Sequence, residues 1–202
     1  MPLKTMVTIA QIRDRLAALD IQEQVVDHLA PTAVAMILRM EPAGPAVFFI
    51  ERAIDDRDPW SGNIGFPGGR VGPGDRDLSH TAERETMEEV GIALAGAERL
   101  GRLPDIVGAH LPVRVACFVY FLASVGPVTL NAEVNDAFWV PLAVLADPAR
   151  QLTAQVDFAG DVIAAPAICL PLAGKAVLWG ITYRLVNQFL DIVLADQVRE
   201  EQ

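Results

Sequence analysis

The stretch GFPGGRVGPGDRDLSHTAERETMEEVGI, from Gly65 to Ile92, decides how this chain is read, because it couples a glycine-rich turn to a helix with three clustered carboxylates. The helical part, about a dozen residues, closes at Gly91, a residue type suited to a helix C-cap. Glu85 and Glu89 stand one turn apart with Glu88 beside them, and positions i and i+4 share a helix face. Like charges at that spacing destabilise a helix by about 0.2–0.5 kcal/mol, a cost that a bound divalent cation reverses. Oxygen-only ligands favour Mg²⁺ or Mn²⁺. A solvated acidic face is the alternative. Leu78 and Ala82 lie on the same face, so the carboxylates continue an apolar stripe instead of opposing it, the arrangement of an inward-facing site.

Outward from this stretch, the N-terminal MPLKTMVTIAQIRDRLAAL reads as an amphipathic helix through Ile9, Ile12, Leu16 and Leu19. AVAMILRM and AVFFIER are short apolar runs split by a turn around Pro42, Gly44 and Pro45, a hairpin signal. The segment Asp55–Asp77 is a loop rich in Asp, Pro and Gly. Downstream, VRVACFVYFLA and AFWVPL read as strands, and the sheet resumes at AAPAICLPL and KAVLWG. Ile181, Leu185, Phe189, Ile192 and Val193 recur at helical spacing in a terminal helix. There is no internal repeat. Strands, a helix, more strands and a last helix predict an α/β or α+β layered fold, a mixed sheet flanked by helices.

The chain has 202 residues, 52% of them apolar, enough for one well-packed domain. Sixteen Lys and Arg against 26 Asp and Glu leave a net charge of −10, which excludes sequence-independent attraction to nucleic acid or anionic lipid. The N-terminus meets charges too early for a signal peptide, and the uncharged run Val115–Ala132 is broken at Gly126-Pro127, so neither export nor a membrane crossing is expected. Cys117 and Cys169 each sit in an apolar run and read as small buried hydrophobes in a reducing cytoplasm, neither at metal-ligand spacing. His28, His80 and His110 are isolated, and none reads as a ligand.

Taken whole, the decisive stretch resembles the signature of the Nudix hydrolases, Gly-x5-Glu-x7-Arg-Glu-U-x-Glu-Glu-x-Gly-U with U aliphatic. Here it runs Gly69-x5-Asp75-x8-Arg84-Glu85-Thr86-Met87-Glu88-Glu89-Val90-Gly91-Ile92. Asp75 stands where Glu is usual, one extra residue precedes Arg84, and Thr86 replaces an aliphatic residue. An Asp with one added residue is similar to the coenzyme A pyrophosphatase-like branch. That branch's upstream pattern is echoed by Phe48, Phe49, Ile50, Arg52, Ala53, Arg57, Gly62, Phe66, Pro67, Gly68 and Gly69. One residue is inserted between Arg57 and Gly62, and Ile50 replaces a Thr. EVNDAFWVPL from Glu133 and LWGITYRLVNQFL from Leu178 also look like segments of the branch, so the resemblance covers about residues 33–195.

The resemblance implies a mixed sheet sandwiched between helices, and the chain as a whole is expected to divide into an N-terminal helical segment at 1–30 packed on a domain at 31–202 that ends in the terminal helix. It maps Glu85, Glu88 and Glu89, with the Gly69 carbonyl, onto the ligands of Mg²⁺ or Mn²⁺, and Arg84 onto the arginine that braces the helix. The implied activity is cleavage of the diphosphate in a nucleoside diphosphate derivative: coenzyme A or acyl-coenzyme A, yielding 3′,5′-ADP and 4′-phosphopantetheine or its acyl form. A hydrolase of ADP-ribose or NADH shares every ligand, and a non-catalytic nucleotide-binding domain is the remaining alternative. A general base must take the proton of the attacking water, from a helix carboxylate such as Glu88 or from a loop; Glu133 is the loop candidate, with a solvated turn residue as its alternative. Arg52, Arg57 and Arg70 flank the glycine loop and read either as phosphate contacts or as solvated loop arginines. Trp60 stacks on a base, shields the site or belongs to the core. An exposed edge strand or the N-terminal helix offers a route to a homodimer.

Overall fold

The computed structural model describes residues 7–21, 28–55, 60–108, 112–158 and 160–195. Helix α1 (Ile9–Ala17) precedes the hairpin β1 (Ala30–Glu41) and β2 (Gly44–Arg52), which turns over Pro42-Ala43 and pairs Glu41 with Gly44. The loop that follows contains two short strands absent from the sequence reading, β3 (Ile64–Gly65) and β4 (Gly68–Arg70), before helix α2 (Leu78–Val90). Then come β5 (Glu98–Val107), β6 (Val113–Phe121), β7 (Val134–Pro141), the one-turn α3 (Leu142–Leu145), β8 (Gln151–Phe158), β9 (Asp161–Ile168), β10 (Leu178–Trp179) and α4 (Gly180–Val193).

Seven strands form one mixed sheet. Strand β6 runs parallel to residues 30–38 of β1, from Ala30↔Val113 to Leu38↔Phe121, and β5 lies antiparallel outside it. On the other edge of β1, β2 pairs only with residues 38–41, while β4 pairs with Thr32–Val34. Strand β2 carries β7 on its far edge and β3 opposite Ile50 and Glu51. The hairpin therefore forks, and β3 and β4 fill the fork, bringing the glycine loop into the middle of the sheet.

Alternation along the strands builds two cores, as period-2 side chains require. Ala35, Ile37, Phe48, Ile50, Phe118 and Tyr120 meet Ala82 and Val90 of α2 on one face. Met36, Leu38, Phe49 and Val119 meet Ile12 and Leu16 of α1 and Leu185 and Phe189 of α4 on the other. Helices on both faces of a mixed sheet match the expected layered class. The apolar side of α1 is thus used inside the chain. No helix among the described residues is long and apolar enough to cross a membrane.

The structure corrects three readings. The runs AAPAICLPL and KAVLWG do not resume the main sheet: β9 and β10 join β8 in a second sheet ordered β10-β9-β8. Strands β5 and β8 went unread. In β5, Gly101 and Pro104 interrupt the pattern at two register shifts, which an edge strand tolerates; in β8 the alternation of Leu152, Ala154, Val156 and Phe158 was the available signal. Cys117 is buried as expected, but Cys169 is exposed, because the chain leaves β9 after Ile168; its N–H donates to the Arg150 carbonyl at 2.9 Å and its thiol to the Leu170 carbonyl at 3.9 Å.

Candidate functional site

The glycine loop is shaped by close approach of its backbone to β1. Gly68 has φ +150°, and a Cβ there would lie 2.3 Å from the Ala33 carbonyl oxygen, so only glycine permits the β4–β1 pairing. The strand in turn aims the Gly68 N–H at Glu89 Oε2, 2.8 Å away. A Cβ on Gly69 would lie 2.5 Å from the Glu85 carboxylate, so that carboxylate and the Gly69 backbone share space that no side chain occupies.

Asp75 closes the other end of the loop. Its carboxylate accepts from Arg84 Nε and Nη2, both at 2.9 Å, from the Gly72 N–H at 2.7 Å and from Thr81 Oγ1 at 2.9 Å. The bidentate Arg84 guanidinium, first, and these further donors hold the Asp75 carboxyl well below the usual carboxylate range, and the pairing raises Arg84 above its own. Arg84 Nη2 also reaches the Arg70 carbonyl at 3.3 Å, so one side chain ties loop to helix. His80 belongs to the same turn, with Nδ1 accepting from the Arg76 N–H at 3.2 Å. Helix α2 starts with the Asp77 carboxylate accepting from the His80 N–H at 2.8 Å and ends at Gly91 in the left-handed region, φ +71°. Thr86, inside the helix, is fully buried and satisfied, its hydroxyl donating to the Ala82 carbonyl at 2.6 Å.

The three helix carboxylates sit in graded environments. Glu89 is 2% exposed, and burial pushes its carboxyl up to about 7, against the opposing Gly68 N–H and Arg52, whose Nη1 lies 3.5 Å from Oε1. Glu85 is partly buried and is also pushed up by burial, with Arg84 Nη1 at 2.9 Å opposing. Glu88 is exposed and meets the same Nη1 at 3.1 Å. Among the described residues no three His, Cys, Asp or Glu side chains converge at metal-holding distances. The donors nevertheless suit a hard divalent cation, since all are oxygens and Gly69 leaves the room beside Glu85 in which a backbone carbonyl can join them.

Glu133 is presented by a clamped loop. Thr129 and Asn131 donate their N–H groups to the carbonyls of Val90 and Glu89 at 3.0 Å each, and the Ala53 N–H donates to the Glu133 carbonyl at 2.8 Å. The Glu133 side chain is exposed and close enough to raise both Glu85 and Glu89.

All these groups line one cavity of about 1010 Å³: Gly69, Glu85, Glu88, Glu89 and Glu133, together with Arg52 and Arg70. Arg57 lies outside the described residues, as does His110. Arg84 lies behind the carboxylates, and its contacts are those of a brace. Trp60 lines the cavity and also packs against the core, joining two of its three readings. Sequence reasoning missed the Asp75 anchor, although its place in the signature marked it, and the far wall of the cavity, where Trp179 Nε1 donates to Asn63 Oδ1 at 2.9 Å. Trp179 lies in the LWGITYRLVNQFL segment already read as part of the branch, but nothing local marks its pairing with Asn63, which is made by distant segments.

Comparison with known proteins agrees with this architecture. A mitochondrial coenzyme A diphosphatase of Homo sapiens is 33% identical over 128 residues, 60% of this chain and 52% of the relative. A probable nudix hydrolase of Schizosaccharomyces pombe is 28% identical over 173 residues, 81% of this chain and 56% of the relative. The chain thus spans about half the length of these relatives. The crystal structure of a MutT/nudix family protein from Enterococcus faecalis shares the fold, with a TM-score of 0.58 at 15% identity over 93% of this chain and 70% of that one. The family model of the NUDIX domain matches residues 29–159, and with the helix carboxylates, the Arg84–Asp75 brace and the forked sheet in place, this chain belongs to the Nudix hydrolase family.

Proposed function

We propose that the chain is a divalent-metal-dependent hydrolase of the diphosphate in nucleoside diphosphate derivatives, with coenzyme A and its acyl thioesters as the leading substrates. The observation that carries this reading is the meeting of opposite charges in one cavity: Glu85, Glu88, Glu89 and Glu133 beside Arg52 and Arg70. Carboxylates alone repel a diphosphate, and arginines alone bind it without cleaving it.

Glu85, Glu88, Glu89 and the Gly69 carbonyl are the groups that would hold Mg²⁺ or Mn²⁺. Such a cation supplies charge neutralisation at the diphosphate oxygens and acidifies water. Arg52 and Arg70 then orient the phosphates, the former while also facing Glu89. Glu133, on its clamped loop across from the helix, is the base that takes the proton of the attacking water, with Glu88 the alternative on the helix. Arg84 is a positioning residue that holds Glu85 and Glu88 by charge-assisted hydrogen bonds. Coenzyme A leads the substrates because the upstream pattern ending in Phe66-Pro67-Gly68-Gly69 resembles that branch and the human relative is named for that activity. Two free thiols suit a reducing compartment, and the cytoplasm is the proposed one.

The test is product analysis by phosphorus NMR with Mg²⁺ or Mn²⁺ and a panel of coenzyme A, acyl-coenzyme A, ADP-ribose, NADH and diadenosine polyphosphates. Conversion of coenzyme A to 3′,5′-ADP is expected. Faster cleavage of ADP-ribose or NADH reassigns the substrate, and nucleotide binding without turnover overturns the catalytic reading.

A further inference from the structure

Besides its carboxylates and loop arginines the cavity is lined by an apolar wall, Ile163 and Pro166 of β9, Trp179 of β10 and Ile181 at the start of α4, with one charged neighbour, Arg184, whose Nη1 donates to the Val107 carbonyl at 2.8 Å. Phe158 meets the Trp179 indole edge to face, with ring centroids 6.0 Å apart. This wall is fixed in place. Trp179 pairs with Ala167 in the second sheet, and its indole N–H is bonded to Asn63. The connection from β9 to β10 is tied down by Lys175, whose Nζ lies 2.7 Å from Glu51 Oε2 and 2.5 Å from Asp136 Oδ2. Ile163, Pro166, Trp179 and Ile181 all lie beyond residue 159, where the match to the family model ends.

Both sets of residues line one cavity, so a ligand whose diphosphate sits among Arg52, Arg70 and the carboxylates has this wall within the same enclosure as its two arms. Branched and aromatic side chains reward an apolar arm and desolvate a polar one without replacing its hydrogen bonds. We infer that the wall formed by β9, β10 and the start of α4 is a subsite for an apolar chain on the non-nucleoside arm of the substrate, so that acylated diphosphates are selected over short or unacylated ones. The inference rests on the diphosphate hydrolase reading and adds to it a choice among substrates.

The test is a chain-length series of coenzyme A thioesters, from acetyl through butanoyl to octanoyl. It is read as kcat/KM with Mg²⁺ and, separately, as Kd by calorimetry in EDTA. A methylene buried against such a wall strengthens binding by up to about fourfold, so a rise of at least tenfold from acetyl to octanoyl is expected in both readouts. In Ile163→Asp the ratio of octanoyl to acetyl should fall below about threefold, and Ile163→Leu should restore it. A wild-type ratio below about threefold overturns the subsite. So does an Ile163→Asp effect equal for every chain length, the behaviour expected if a nucleobase lies on the wall. Hydrolysis without chain-length preference sinks the subsite alone. If no member of the series is hydrolysed, the diphosphatase reading fails, and the EDTA binding series then decides the wall by itself.

Discussion

Replacing Glu89 by Gln keeps the shape of the side chain and removes a charge that the fold accommodates at a cost. Glu89 is 2% exposed, and its carboxyl is pushed up from 4.5 to about 7 by burial. At about 1.4 kcal/mol per pKa unit, ionising this group in the folded protein costs roughly 3 kcal/mol. The folded state binds this proton more tightly than the unfolded chain does. The contribution to stability is therefore full below about pH 4.5, falls as pH rises toward about 7 and is absent above it. The Gln variant has no such loss, and its amide oxygen can still accept from the Gly68 N–H. In EDTA the variant and the wild type should melt together near pH 4. Near pH 8 the variant should be more stable by about 2–3 kcal/mol, or roughly 5–10 °C for a chain of this size. Added Mg²⁺ or Mn²⁺ should raise the wild-type melting temperature and leave the variant unmoved, while turnover in the variant drops by about a hundredfold or more. Thermal melts at the two pH values decide the matter: a stability difference that does not change with pH refutes the account of Glu89 as a carboxylate charged at the expense of the fold.

The two loop glycines should separate folding from function. Gly68→Ala drives a methyl into the Ala33 carbonyl and should destabilise by about 3 kcal/mol or more in urea denaturation, whereas the nearest atoms to a Gly69→Ala methyl are those of the movable Glu85 carboxylate. The latter substitution should change stability by less than about 1 kcal/mol and lower kcat at least about tenfold. Glu133→Gln should leave the melting temperature unchanged, because the side chain is exposed, lower kcat by about 10²–10⁴ and flatten the acidic limb of the pH–rate profile. Asp75→Asn breaks the bidentate pair with Arg84 and should destabilise by about 1–3 kcal/mol near pH 7. Asp75 is held below its ordinary range, so its contribution is present above about pH 4 and fades only as pH falls further. A chemical-denaturation series against pH should therefore show the gap to wild type narrowing only on the acid side.

Local chemistry alone determined much of this protein. The Glu85-x-x-Glu88-Glu89 spacing, the cap at Gly91 and the alternation in residues 33–38 and 46–50 each report a preference acting within a few residues, which is why the helix, the hairpin and the acidic cluster were legible. Tertiary structure decided what depends on contacts between distant segments. The fork between β1 and β2 exists because β4 comes in beside Ala33, and that approach makes Gly68 irreplaceable and turns Glu89 inward. The same holds for the second sheet, where Trp179 finds Asn63 across 116 positions of sequence to build the apolar wall of the cavity. Burial, which sets the charge state of Glu89, and pocket shape, which bears on the choice of substrate, are properties of packed neighbours far apart in the chain, and short-range propensity carries no record of them.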